Sequence, residues 1–255
     1  MKTVILAGGF GTRLSEYTKL IPKPMVEIGG RPILWHIMNH YAHYGYKDFI
    51  VALGYKGEVI KDYFLQYYAR NNDFTIDLSK GTLQYLSKQS CDWHVSLVDT
   101  GTNSMTGGRL LRLKDIIGHE DFMMTYGDAV SDVNISELVG KFRQSGCKAM
   151  VTAVHPTARF GELQIDQDDY VRSFKEKPQV AQGWINGGFF VLSHQVFNYI
   201  DNDQTVFEAS PLERLAAEGQ LKTYRHEGFW QCMDTVRERD LLNKMWEDGN
   251  APWQF

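Results

Sequence analysis

The sequence predicts an α/β protein built on a mixed, mostly parallel sheet flanked by helices, with antiparallel strands added late. Three observations lead there. Short apolar runs alternate with helix-patterned segments through the first two thirds of the chain, the order that builds parallel strands joined by crossover helices. The first apolar run ends in a glycine loop, which lets backbone approach a ligand closely. The last third changes to shorter, alternating runs separated by polar turns, as antiparallel hairpins require.

Each element has its own signal. Residues 3–7 form a continuous apolar strand before Gly8-Gly9. A helix is expected over 31–44, with Pro32 in its first turn and Ile33, Leu34, Ile37, Met38 and Tyr41 on one face. Residues 49–53 read as a strand. They are followed by a helix over 58–69 whose apolar face holds Val59, Tyr63, Phe64 and Tyr67. Further strands are expected at 95–98, Phe122–Tyr126 and Ala149–Val154, with a helix over 135–142. Residues 162–166 and 170–175 read as a hairpin around Gln167-Asp168-Asp169. Strands at 184–192 and 228–233 and a closing helix over 236–246 complete the pattern. With no internal repeat or long linker, residues 1–255 are expected to form one domain.

Composition bounds the function. The 255 residues are 43% hydrophobic and 23% charged, and 27 basic against 31 acidic residues give a net charge of −4. Such a balance argues against a nucleic-acid binder held by a general positive field. The longest apolar runs fall far short of the roughly 18 residues that a membrane span needs. The apolar stretch near the N-terminus is also shorter than the roughly 7–15 residues of a secretory leader. Cys91, Cys147 and Cys232 are far apart and form no CxxC, so neither a disulfide framework nor a zinc site is implied. The expectation is a soluble, cytoplasmic protein with no nucleic-acid or membrane partner.

The strongest chemical signal is Leu6-Ala7-Gly8-Gly9-Phe10-Gly11-Thr12-Arg13-Leu14. Glycines let successive N–H groups close on an anion. Leu14 stands where a dinucleotide fingerprint needs glycine, and Gly11-Thr12-Arg13 stands where a P-loop needs Gly-Lys-Ser/Thr. What remains is a glycine loop with its own arginine, suited to a nucleotide polyphosphate. Ten positions on, Pro22-Lys23-Pro24-Met25 holds a lysine between prolines. Pro24 biases Lys23 toward extended backbone, and the stiffened segment can aim its ammonium at a phosphate.

Together these segments resemble the opening of the sugar-nucleotidyltransferase family, a strand followed by G-G-x-G-T-R-L and then P-K-P-M. Later landmarks fall in the same order: Tyr126-Gly127-Asp128, Lys175-Glu176-Lys177-Pro178, Asn186-Gly187-Gly188 and Met233-Asp234-Thr235. The resemblance covers nearly the whole chain. It implies a Rossmann-like fold of the nucleotide-diphospho-sugar transferase type, with a nucleotide-binding part over about 1–130. The sugar-phosphate-binding and oligomerisation part would cover about 131–255. Asp128 and Asp234 would ligate Mg²⁺, a hard cation that prefers oxygen donors and phosphates. Arg13, Lys23, Asp128 and Asp234 would carry the chemistry. Leu6, Ala7, Gly8, Gly9, Gly11 and Thr12 would bind the nucleotide with Arg13 and Lys23. Gly161, Glu162, Glu176, Lys177 and Asn186 would bind the sugar phosphate.

Residues 98–110, V-D-T-G-T-N-S-M-T-G-G-R-L, are similar to the corresponding stretch of the family's cytidylyltransferase branch, as is Gly249-Asn250-Ala251-Pro252-Trp253. That implies CTP and α-D-glucose 1-phosphate as substrates, with Ser104, Thr106 and Arg109 reading the base or holding the triphosphate. Ser104 or Thr106 would also serve as a helix cap. A dTTP- or UTP-dependent relative would share every phosphate-binding feature. The resemblance further implies a homo-oligomer, a hexamer, and a product used as a CDP-activated sugar for surface polysaccharide such as lipopolysaccharide O-antigen. His36, His40 and His43 are expected to be structural, and Asp132, Asp168 and Asp169 to be turn or surface acids.

Overall fold

A computed structural model describes residues 1–86, 91–156, 162–165, 171–175 and 183–255, with backbone alone for Arg13, Ser15, 162–165 and 171–175. Its centre is a seven-stranded sheet. In chain order the strands are β1 (Thr3–Leu6), β2 (Asp48–Leu53), β3 (His94–Asp99), β4 (Phe122–Tyr126), β5 (Ala149–Val154), β6 (Ile185–Leu192) and β7 (Leu221–His226). They lie in the order 7-5-6-4-1-2-3. All pairs are parallel except those of β6, which runs antiparallel between β4 and β5.

Alternation along β1 fixes the two layers. Ile5 points into one apolar cluster with helices α1 (Ile33–His43), α4 (Ile135–Ser145) and α6 (Val236–Glu247). Val4 and Leu6 point into the other, with α3 (Thr106–Arg112) and α5 (Ser210–Ala217). Each face of the sheet is therefore covered, as its near-continuous apolar strands demand. Among the described residues no helix is long and apolar enough to cross a membrane.

The mixed sheet with flanking helices agrees with the sequence reading, and β4 and β5 have the expected bounds. The described parts of the late hairpin pair antiparallel, Glu162–Ile165 with Val171–Lys175. Four details differ. The helix expected from residue 31 begins at Ile33, because Arg31–Pro32 pairs with Glu27–Ile28 and holds Pro32 extended at ψ 144°. The helix expected over 58–69 is split at Gln66 into α2 (Gly57–Leu65) and a turn over Tyr67–Arg70. The hairpin Phe74–Asp77/Thr82–Tyr85, helix α5 and strand β7 had not been expected. Most side chains of that hairpin and of β7 are exposed or half-buried, so a burial-driven pattern is weak there. The strand expected over 228–233 is confined to Trp230–Cys232.

Candidate active site

At the carboxyl ends of β1 and β4 the chain leaves the sheet on both sides of a cavity of about 670 Å³. This edge is where open α/β sheets bind ligands. Twelve residues singled out from sequence line it: Leu6, Ala7, Gly8, Gly9, Gly11, Thr12, Lys23, Ser104, Thr106, Arg109, Asp128 and Asp234. Phe10, Pro24, Thr102, Asn103, Met105, Tyr126, Gly127 and Gln204 line it too.

One wall holds a triad of charges. Lys23 Nζ donates to Asp128 Oδ2 at 2.7 Å and to Asp234 Oδ1 at 2.5 Å. Its side chain is only 11% exposed, whereas Asp128 and Asp234 keep 33% and 23% of theirs. Burial favours the neutral amine, but the two carboxylates outweigh it and raise the Lys23 pKa above the ordinary lysine value. Lys23 does not sit in an extended segment as expected. It opens a 3₁₀ turn over Lys23–Met25, closed by Met25 N–H to Pro22 O at 2.8 Å. Pro24 fits this first turn, where its missing N–H costs nothing.

A short ladder brings the two aspartates together. Ala129–Ser131 pairs antiparallel with Trp230–Cys232, with Cys232 opposite Ala129, and Met233 N–H donates to Asp128 O at 2.8 Å. Beyond it, Thr235 and Glu238 form a capping box on α6, and Glu238 Oε2 also accepts from Asp234 N–H at 2.7 Å. The aspartate is thus fixed by the start of a helix. The neighbouring Cys232 thiol is pushed up to about 12 by burial, reinforced by Glu238, Asp234 and Asp128, and is not a thiolate at neutral pH.

The opposite wall is shaped by Arg109, which is 5% exposed. Nη1 donates to Leu53 O (3.0 Å), Thr100 Oγ1 (2.9 Å) and Gly101 O (2.8 Å). Nη2 donates to Gly8 O (2.9 Å) and Thr102 O (3.3 Å). Sequence reasoning assigned this guanidinium to the base or triphosphate. It lines the cavity while it bonds these main-chain and threonine oxygens of the sheet edge, a use that suits its rigid fork. A Cβ on Gly8 would lie 2.1 Å from Arg109 Nη1, so only glycine lets the loop rest on the arginine.

Neither Ser104 nor Thr106 caps α3: its N-cap is Met105, without a side-chain bond. Thr106 Oγ1 instead donates to Glu208 Oε2 at 2.5 Å and accepts from Phe207 N–H at 2.9 Å. Asn186 Nδ2 donates to Tyr126 Oη at 3.2 Å.

A model of the nucleotidyl transferase family matches residues 2–248. The chain belongs to that family. It is 51% identical over its whole length to a glucose-1-phosphate cytidylyltransferase of Salmonella typhi, covering 99% of that protein. It is 46% identical over the same span to a probable glucose-1-phosphate cytidylyltransferase of Bacillus subtilis (strain 168), again covering 99%. Among solved structures, HddC from Yersinia pseudotuberculosis superposes with a TM-score of 0.71 at 24% identity, over 96% of this chain and 99% of that one. A UDP-glucose pyrophosphorylase complexed with UDP-glucose reaches a TM-score of 0.67 at 17% identity, over 97% and 98% of the two chains.

In this nucleotidyl transferase the remaining expected site residues are placed as follows. Gly161, Glu176 and Lys177 lie outside the described residues, as do Asp168 and Asp169, and the side chains of Arg13 and Glu162 are likewise not described. His36 and His40 are buried against carbonyls, with Nε2 2.8 Å from Ile28 O and 2.7 Å from Val133 O respectively. Asp132 is more than a turn acid: its Oδ1 lies 2.9 Å from His226 Nε2. Sequence reasoning missed Tyr126, Gln204 and Glu208. Tyr126 could have been found as the neighbour of Gly127-Asp128, but nothing local marks the other two.

Proposed function

We infer that the chain transfers CMP from CTP to α-D-glucose 1-phosphate, giving CDP-glucose and pyrophosphate. The observation that carries the reading is the full-length 51% identity to a curated glucose-1-phosphate cytidylyltransferase. The convergence of glycine loop, lysine and paired aspartates on one cavity supports it.

An oxygen of the sugar phosphate attacks the α-phosphorus of CTP, and the bond from that phosphorus to the α–β bridging oxygen breaks, releasing pyrophosphate. The attacking phosphate has a second pKa of about 6, so it is largely ionised at pH 7 and requires no dedicated base. The barrier lies in bringing anions together. Glycine-loop N–H groups and Lys23 lower it by facing the phosphates. Arg13 and Lys177 are assigned the leaving pyrophosphate and the sugar phosphate, with Gly161, Glu162, Glu176 and Asn186 around the sugar.

Asp128 and Asp234 fit a Mg²⁺ ion. They already converge on one cationic atom, Lys23 Nζ, and Mg²⁺ is commonly held by one or two carboxylates plus substrate phosphates. Among the described residues there is no group of three or more His, Cys, Asp and Glu that would form an all-protein cage. Bound there, Mg²⁺ would neutralise phosphate charge. Lys23 would then be released to the phosphates.

Pyrophosphate release from glucose 1-phosphate with CTP, dTTP, UTP, ATP and GTP in parallel, with Mg²⁺ and with EDTA, tests the reading. Metal-dependent release confined to CTP is expected; preference for another nucleotide overturns the cytidylyl assignment. We also propose a homo-oligomer, because the hairpin region exposes Phe74, Ile76, Leu78 and Leu83. A monomer in sedimentation would refute it.

A further inference from the structure

We propose that Glu208 is a positioning residue that joins the nucleotide side of the pocket to the sugar side through two hydroxyls. This rests on the reading of the site given above. Glu208 Oε2 accepts from Thr106 Oγ1 at 2.5 Å and Oε1 accepts from Tyr126 Oη at 2.6 Å. Thr106 opens α3 in the wall of the nucleotide cavity. Tyr126 ends β4, two residues before Asp128, and accepts from Asn186 Nδ2 at 3.2 Å. A single carboxylate therefore links Thr106 to the strand that delivers Asp128 and to the asparagine assigned to the sugar.

The chemistry requires a carboxylate. Both of its oxygens accept, so both hydroxyl protons point at Glu208, and the Tyr126 oxygen is left as the acceptor for Asn186. An amide would present a donor to one of the two hydroxyls, which would then have to turn its proton away and give up the charge-assisted bond. Charge-assisted bonds of this kind are stronger than neutral ones.

The backbone holds Glu208 firmly in place. Met105 N–H donates to Asp203 O and Gly107 N–H to Thr205 O, each at 2.9 Å. A Cβ on Gly108 would lie 2.2 Å from Asp203 O. The paired glycines thus let the strand of chain before Glu208 lie directly on the start of α3. Gly188, at φ +81°, has room for no Cβ either, since Tyr126 Cδ2 would lie 2.6 Å away, which seats the tyrosine ring on the sugar-side strand.

The test is steady-state kinetics on Glu208→Gln, Thr106→Val and Tyr126→Phe, varying CTP and glucose 1-phosphate separately, with circular dichroism to confirm folding. Glu208→Gln is expected to raise the KM for both substrates about tenfold, the scale of a lost hydrogen bond to a charged group. Thr106→Val and Tyr126→Phe should each raise both KM values. Adding Thr106→Val to Glu208→Gln should cost little more, because both break the same chain of bonds. Should Glu208→Gln not fold, the cross-effects of the two single variants carry the test. A change in one KM only, or single variants confined to one substrate each, would overturn the bridge. If wild-type enzyme turns over a different pair, the substrate assignment fails, and the same variants are read with that pair, so the two failures stay distinct.

Discussion

The two walls of the pocket hold their cations in opposite ways. On one, Lys23 is bound by two carboxylates that remain partly open to water. On the other, Arg109 is bound by backbone carbonyls and a threonine hydroxyl, all at the sheet edge. A lysine held by anions can exchange them for phosphates once another cation takes the carboxylates. An arginine that satisfies buried carbonyls cannot leave without orphaning them. The first wall therefore holds an exchangeable cation and the second a fixed one, although both residues are basic and both face the same cavity.

The largest expected effect comes from breaking the exchangeable wall. Asp128→Asn should lower kcat by about 10²-fold or more, the scale of one preorganised electrostatic contact. Near-normal turnover at saturating Mg²⁺ would remove Asp128 from the chemistry.

Next comes a direct contrast between the walls. Lys23→Met should lower kcat/KM by a factor on the order of 10², and Mg²⁺ on the two freed carboxylates should recover most of the stability it costs. Arg109→Met should cost about 3 kcal/mol or more in urea unfolding, by stranding several buried acceptors. Equal recovery of both variants by Mg²⁺ would erase the distinction drawn here.

The smallest effect supplies a baseline from buried groups that do no chemistry. Burial pushes the pKa of His36 and His40 down to about 4, from an ordinary value of 6.5. His36 is matched to the neutral ring, with Nε2 against Ile28 O and Nδ1 accepting from Trp253 Nε1 at 3.4 Å. The unfolded chain protonates first, so their contribution is full above about pH 6.5 and is lost as pH falls toward 4. At pH 5 each histidine should cost about 2 kcal/mol. Replacing His36 by Gln should flatten the fall in Tm between pH 7 and pH 5; an unchanged slope would show that His36 already titrates normally.

Much of the site could be read in the sequence because its parts are local. The loop from Leu6 to Thr12, Lys23 between prolines, and Asp128 after an apolar strand are each stated within a few residues, and all of them line the cavity. Arg109 was legible as important, but the oxygens of the fold that it bonds were not. A conspicuous arginine in a glycine-rich segment looks the same whether its fork faces a ligand or five oxygens of its own fold. Glu208 was illegible, since an acid before Ala209-Ser210-Pro211 carries no local pattern at all.

By itself the sequence determined the alternation of strands and helices, the glycine loop, and twelve of the residues that line the cavity. Period and turn chemistry are properties of neighbouring residues, and they survive without knowledge of the rest of the chain. Only the tertiary structure decided which distant groups meet. The ladder of Ala129–Ser131 with Trp230–Cys232 sets Asp128 beside Asp234, and the packing of residues 203–208 on α3 delivers Glu208 to Thr106 and Tyr126. Those meetings depend on backbone pairings a hundred residues apart, which no short-range pattern records.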